Sequence, residues 1–130
     1  MISVDTNIVL RLLLEDDPTQ LAAAQALMER HELWVAHGVL MEAEWVLRSF
    51  YKWSRARFCQ VIADFLSLPR IRVAGKEDLL WALDRHAAGA DWADMLHVIA
   101  SRNLEAFATF EIAMAKAAGA APPVPVVVIP

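Results

Sequence analysis

The chain alternates short apolar runs, often β-branched, with longer stretches in which apolar residues recur at three- and four-residue intervals. Ile2-Ser3-Val4 reads as a first strand, and Asp5-Thr6-Asn7 supplies strand-stop and helix-start residues before a helix over about 7–14. Asp16-Asp17-Pro18-Thr19 places acids and a proline where a helix begins; Leu21, Ala24, Gln25, Leu27 and Met28 carry it at helical spacing to His31. Leu33 to Ala36 reads as strand 2, and Val39, Ala43, Val46, Leu47 and Phe50 then mark an amphipathic helix. Ser54 caps another helix that runs to about Leu66 and is stopped by Pro69. Ile71-Arg72-Val73 is a brief alternating segment, Lys76 to Ala88 is helical, and a further helix runs from Trp92 to Asn103. Ala106 to Phe110 is extended, Glu111 to Ala118 is helical with Gly119 at its end, and Val124 to Ile129 makes a last β-branched strand.

Five short strands separated by helices imply an α/β fold whose sheet is mainly parallel and flanked by helices on both faces. There is no internal repeat or low-complexity tract, and the prolines at 122, 123 and 125 lead into the last strand, so residues 1–130 are expected to form a single domain. In such sheets ligands bind beyond the carboxyl ends of the strands, which is where candidate chemistry is to be weighed.

Composition narrows the function classes. With 58% hydrophobic and 22% charged residues the chain has ample material for a core, which excludes a disordered protein. A net charge of -4 excludes a general basic field, so any nucleic acid must be held locally. Cys59 is the only cysteine; no intrachain disulfide or thiolate metal cage is possible, a reducing cytoplasm is expected, and Cys59 itself reads as a buried hydrophobe. The first residues carry no basic stretch and Arg11 interrupts the apolar run from Ile8 to Leu14, so no signal peptide is expected. No apolar run approaches the ~20 residues of a membrane helix, and the protein is expected to be soluble.

Several common signatures are missing. The four glycines are isolated, and there is no Gly-x-Ser-x-Gly or His-Glu-x-x-His pattern. His31, His37, His86 and His97 lie far apart and read as helix-end or surface residues. Carboxylates remain. Asp5 follows strand 1 with Thr6 and Asn7 beside it, which suits either a ligand-binding edge or a helix N-cap. Glu42 and Glu44 project in nearly opposite directions; Glu44 has Arg48 one turn on and reads as a solvated ion pair, whereas Glu42 borders the apolar stripe without a cation and is the functional candidate. Asp91 and Asp94 start a helix, and spacing alone favours a cap and a first-turn acid. Glu111 again sits after an extended segment, in a capping position, with the Thr109 hydroxyl nearby. Together, Asp5, Glu42, Asp94 and Glu111 fall at or just after strand ends on one edge. Converging carboxylates repel, and a hard oxygen-only site selects Mg2+ or Mn2+, which suits phosphodiester hydrolysis.

In order and spacing, Val4-Asp5-Thr6-Asn7-Ile8-Val9-Leu10-Arg11, Met41-Glu42-Ala43-Glu44-Trp45-Val46-Leu47, Ala90-Asp91-Trp92-Ala93-Asp94-Met95-Leu96-His97 and Ala108-Thr109-Phe110-Glu111 resemble the motifs of PIN-domain ribonucleases, above all the VapC-type toxins of bacterial toxin–antitoxin pairs. The likeness spans essentially the whole chain. It implies a PIN-like three-layer fold and a Mg2+-dependent endoribonuclease, usually a homodimer, neutralised by a small cognate antitoxin. It also implies that Asp5, Glu42 and Asp94 are acidic metal-site residues with Glu111 as the fourth, that Asn7 and Thr109 support them, and that Asp91 is peripheral. Where the family usually has aspartate after Thr-Phe, this chain has Glu111, one methylene longer, followed by a more apolar continuation. Arg11, Arg48, Lys52, Arg55 and Arg57 form the densest basic region, with Arg11, Arg48 and Lys52 as candidate RNA contacts and Tyr51 and Trp53 as candidate stacking platforms. A mean hydropathy of +0.37 and five tryptophans suit an apolar surface covered by a dimer or antitoxin.

Two other readings compete. One is a degenerate PIN domain that binds RNA or a protein without cutting, as Glu111 permits. The other, more distant, is a phosphatase resembling the haloacid-dehalogenase group with Asp5 as nucleophile, but Asn7 stands where a second aspartate is needed.

Overall fold

A computed structural model describes all 130 residues, Met1–Pro130, and the chain divides into two compact units, Met1–Ala74 and Gly75–Pro130. The class is α/β, with seven helices and short strands whose pairing is parallel throughout.

The first unit runs β1 (Ile2–Ser3), α1 (Thr6–Leu14), α2 (Pro18–Arg30), β2 (Leu33–Trp34), α3 (His37–Ser49), α4 (Arg55–Leu66) and β3 (Ile71–Arg72). Its three strands pair in the order β1-β2-β3, with Ile2 opposite Leu33 and Leu33 opposite Ile71. Parallel neighbours need a crossover, and a pair of helices supplies each one. The strands are shorter than the apolar pattern suggests, because helices begin at once behind them. The ladder still extends one residue further: the Val4 amide donates to the Trp34 carbonyl at 3.1 Å and the Val35 amide to the Arg72 carbonyl at 2.9 Å. Helix α1 packs on α2 and α3, and Val9, Leu33, Val35, Leu40, Ala43, Leu47 and Ile62 are wholly sealed from solvent. Full burial of each larger side chain among them stabilises the unit by about 1.5–3 kcal/mol.

The second unit runs α5 (Lys76–Ala87), α6 (Trp92–Ala100), β4 (Phe107–Thr109), α7 (Ile112–Ala118) and β5 (Val126–Val128). Strands β4 and β5 pair in parallel across α7, with Phe107 opposite Val126. Helices α5 and α6 pack together over Leu79, Ala82, Met95 and Val98. Helix α6 ends three residues before Asn103, which takes a left-handed φ of 74° that closes a turn rather than prolonging the helix. Strand β5 begins after Pro125, since that residue has no amide to give; its carbonyl instead accepts from the Phe107 amide at 2.8 Å. Gly119 ends α7 at φ 77°, and a Cβ there would lie 3.0 Å from the Arg85 guanidinium carbon, so both conformation and space require glycine. Arg85 is held there by donating from Nε to the Ala117 carbonyl at 2.7 Å.

Helix starts follow the capping residues read from sequence. Asp17 accepts from the Gln20 amide at 3.0 Å with Pro18 in the first position, and Ser54 accepts from the Arg57 amide at 3.1 Å. Each such cap is worth about 1 kcal/mol. No helix is long and apolar enough to cross a membrane.

Candidate functional site

In the first unit, Asp5 leaves strand β1 in an extended conformation and caps α1, its Oδ1 accepting from the Ile8 amide at 3.1 Å. The cap uses one oxygen and leaves Oδ2 for a ligand. Asp5 and Asn7 are both exposed and help line a pocket of about 390 Å3 between α1 and α2, with Ile8, Arg11, Gln20 and Leu27 among its walls. Arg11 is only partly accessible; its Nη1 donates to Asp16 at 2.8 Å, and its Nε is buried without a hydrogen-bond partner. Its charge is therefore compensated inside the unit, unlike the open cation that a candidate RNA contact suggests.

The two glutamates of α3 differ from the sequence-based expectation in which one is buried. Leu40, Ala43, Glu44 and Leu47 form the buried stripe of the helix, so Glu44, 8% exposed, lies on the core face and Glu42 is exposed outside it. The expected ion pair exists, with Arg48 Nε donating to Glu44 Oε1 at 2.7 Å, but it is solvated only at its arginine end. Arg48 brings the compensating charge to a carboxylate that helical periodicity forces inward. Glu42 makes neither an ion pair nor a hydrogen bond, which leaves its carboxylate available.

In the second unit, Asp91 caps α6, its Oδ2 accepting from the Asp94 amide at 3.0 Å. Asp94 is half-buried in the first turn. Burial lifts its carboxyl above the usual carboxylate range, the negative charges of Asp91 and then Glu111 push the same way, and His97 opposes them. Glu111 occupies the N-cap position of α7 but its side chain does not cap; instead its own amide donates to Thr109 Oγ1 at 3.0 Å. The capping explanation that sequence offers for Glu111 therefore fails, and the carboxylate is exposed. Asp94 and Glu111 thus influence each other electrostatically, while Asp5 and Glu42 belong to the first unit. No group of three or more His, Cys, Asp or Glu side chains lies close enough together to enclose a metal ion.

Other positions depart from the expectations for histidine, cysteine and tryptophan. His86 is buried, with Nδ1 2.7 Å from the Ala90 carbonyl and its ring against Trp92, because it falls on the core face of α5. Cys59 is half-buried rather than buried. Trp53 is 7% exposed and sits in the core beneath Arg57, so it cannot serve as an open stacking platform. Tyr51 is exposed as such a platform requires, and so is Trp45; Phe50, which the sequence pattern places on the apolar stripe of α3, is exposed as well, because it lies beyond the last turn of the helix. The signal was present: a stripe through positions 40, 43, 44 and 47 turns position 45 outward.

A family model described as the PIN domain matches residues 2–120. Comparison with curated proteins and with solved structures yields no match.

Proposed function

The chain belongs to the PIN-domain family, and on that premise we propose that it is a Mg2+- or Mn2+-dependent endoribonuclease that acts as the toxin of a VapBC-type toxin–antitoxin pair. PIN domains are generally nucleases, so a hydrolase acting on nucleic acid follows from membership. The metal, the RNA substrate and the toxin role are our reading. The two units are taken as parts of one PIN domain because the family match runs through both.

The observation that carries the reading is the position of Asp94, half-buried in the first turn of α6, where burial first and then the charges of Asp91 and Glu111 hold its carboxyl above the usual carboxylate range. Oxygen-only donors under mutual repulsion suit a hard divalent cation, whose charge relieves that repulsion. Asp5, Glu42, Asp94 and Glu111 would hold the ion. Bound there, it would supply an activated water and offset charge developing on the phosphate. The chain's own groups prepare that arrangement. Asp5 is oriented by the Ile8 amide, Asp91 fixes the turn that carries Asp94, and Thr109 anchors the backbone from which Glu111 projects.

A small cognate antitoxin and a second copy of the chain are the proposed protein partners. Expression of the chain is expected to arrest growth, co-expression of the antitoxin to restore it, and Asp5→Asn to be harmless. The competing reading, a PIN domain that binds without cutting, draws on Glu111 standing where the family usually has aspartate. It requires Asp5→Asn to leave the cellular effect unchanged.

A further inference from the structure

We propose that the open edge of strand β5 is where a second copy of the chain docks, by antiparallel pairing of β5 with itself. The sheet of the second unit has only two strands, so β5 is paired on one side alone. The Pro125 carbonyl accepts from the Phe107 amide and the Ile129 amide donates to the Thr109 carbonyl, both at 2.8 Å. Backbone groups alternate between the two edges of a strand, so residues 125, 127 and 129 bond to β4. The amides and carbonyls of Val126 and Val128 therefore point to the opposite edge, where no strand meets them. Val127, Val128 and Ile129 are 41%, 39% and 42% exposed, which leaves β-branched side chains on both faces of that edge open to water. An apolar edge with a row of outward amides and carbonyls is a template for another strand.

Two features select a second copy as that strand. The first is register. With a two-fold axis at Val127, Val126 lies opposite Val128 of the second copy and the reverse, so main-chain hydrogen bonds use every outward amide and carbonyl of both strands. The next outward position is Pro130, which has no amide, so the ladder closes there. The second feature is charge. Residues 117–130 hold no charged side chain, in a protein of net charge -4, so like strands meet here without repulsion. The same construction on β4, centred on Ala108, would set Glu105 opposite Glu111 of the second copy. A contact of so few residues falls below the roughly 1,000 Å2 that a tight interface clears, so the pairing is micromolar and not nanomolar.

This gives a surface to the second copy proposed above and rests on nothing in the nuclease reading, since association is measured without RNA or metal. Sedimentation velocity in EDTA, at chain concentrations up to about 1 mM, should show a monomer–dimer equilibrium. Val127→Lys puts like charges face to face at the axis and is expected to weaken the dimer on the order of tenfold or more, as is Val127→Glu. An equimolar mixture of the two variants should associate again. Amide exchange followed by NMR needs no variant: Val127 and Ile129 should exchange slowly at every concentration, Val126 and Val128 slowly only where the dimer is populated. A chain that stays monomeric at the highest concentration overturns the proposal. So does a dimer indifferent to both charges, a mixture that fails to associate, or Val126 and Val128 amides that exchange alike in monomer and dimer. A chain that stays monomeric but binds a soluble peptide alternating valine and lysine at this edge overturns it too, with a different protein as the occupant. Cleavage of RNA in Mg2+ is read separately, and its absence defeats the nuclease reading alone.

Discussion

In the first unit Asp16 pairs with Arg11, Glu32 with Arg72 and Glu44 with Arg48, whereas in the second burial and two neighbouring acids act on Asp94, with only His97 opposing them. Asp78, also in the second unit, is paired with Arg102 in a two-toothed contact, one tooth 2.7 Å long, so the contrast belongs to Asp94 and not to that unit as a whole. Carboxylates that build the fold are matched with cations or amides. Asp94 is in part capped by Asp91 through its backbone, yet its carboxyl is left in tension with its surroundings. That tension is what a ligand can relieve, and it separates Asp94 from the paired acids more sharply than exposure does.

The contrast predicts losses of activity and of stability at different residues. Asn caps a helix about as well as Asp, so Asp5→Asn should hold thermal stability within a few tenths of a kcal/mol. Its RNA cleavage, like that of Glu42→Gln, should fall by more than the ~10–100-fold typical of residues that only support a metal site. Glu44 and Arg48 should behave in the opposite way. Arg48→Ala strands a buried carboxylate and should lower unfolding free energy by about 3 kcal/mol in denaturant titration, while Glu44→Leu, which continues the apolar stripe, should be neutral or stabilising. If Glu44→Leu instead abolished cleavage with stability intact, the division between the two glutamates would be misplaced.

The smallest effect is electrostatic. Because the Asp94 carboxyl is raised in the folded chain, the native state keeps its proton to higher pH than the unfolded state does. Metal-free stability should therefore decline as pH rises from the ordinary carboxylate range through the raised value, and the loss should persist above it. Melting curves in EDTA across that range would show the decline, and added Mg2+ should reverse it at neutral pH.

Much of this was legible in the chain itself. Helix α2 from Pro18, the Ser54 cap, the Asp91 cap and the glycine end of α7 follow from local chemistry that acts within a few residues. Strand lengths were less legible, because a two-residue strand is set by its partners' register and by the helix that follows it. The inward position of Glu44 and the outward position of Phe50 depart from the sequence pattern for one reason: the pattern runs the stripe of α3 through Val39, Ala43, Val46, Leu47 and Phe50, whereas its buried line is Leu40, Ala43, Glu44 and Leu47. A one-residue rotation exchanges which side chains face the core. The motif carrying Asp94 is legible as a cap, but its raised pKa is not, since that depends first on burial, which only packing sets, and then on Asp91 and on Glu111, seventeen positions away in sequence.

The most direct test is to measure Asp94→Asn for two properties together: melting temperature at pH 7 in EDTA, and cleavage of single-stranded RNA in Mg2+. Removing a carboxylate under repulsion should raise the melting temperature while cleavage disappears. A variant that cuts RNA as the unaltered chain does, or one that melts lower, would contradict the claim that Asp94 is held in tension for a metal and its substrate.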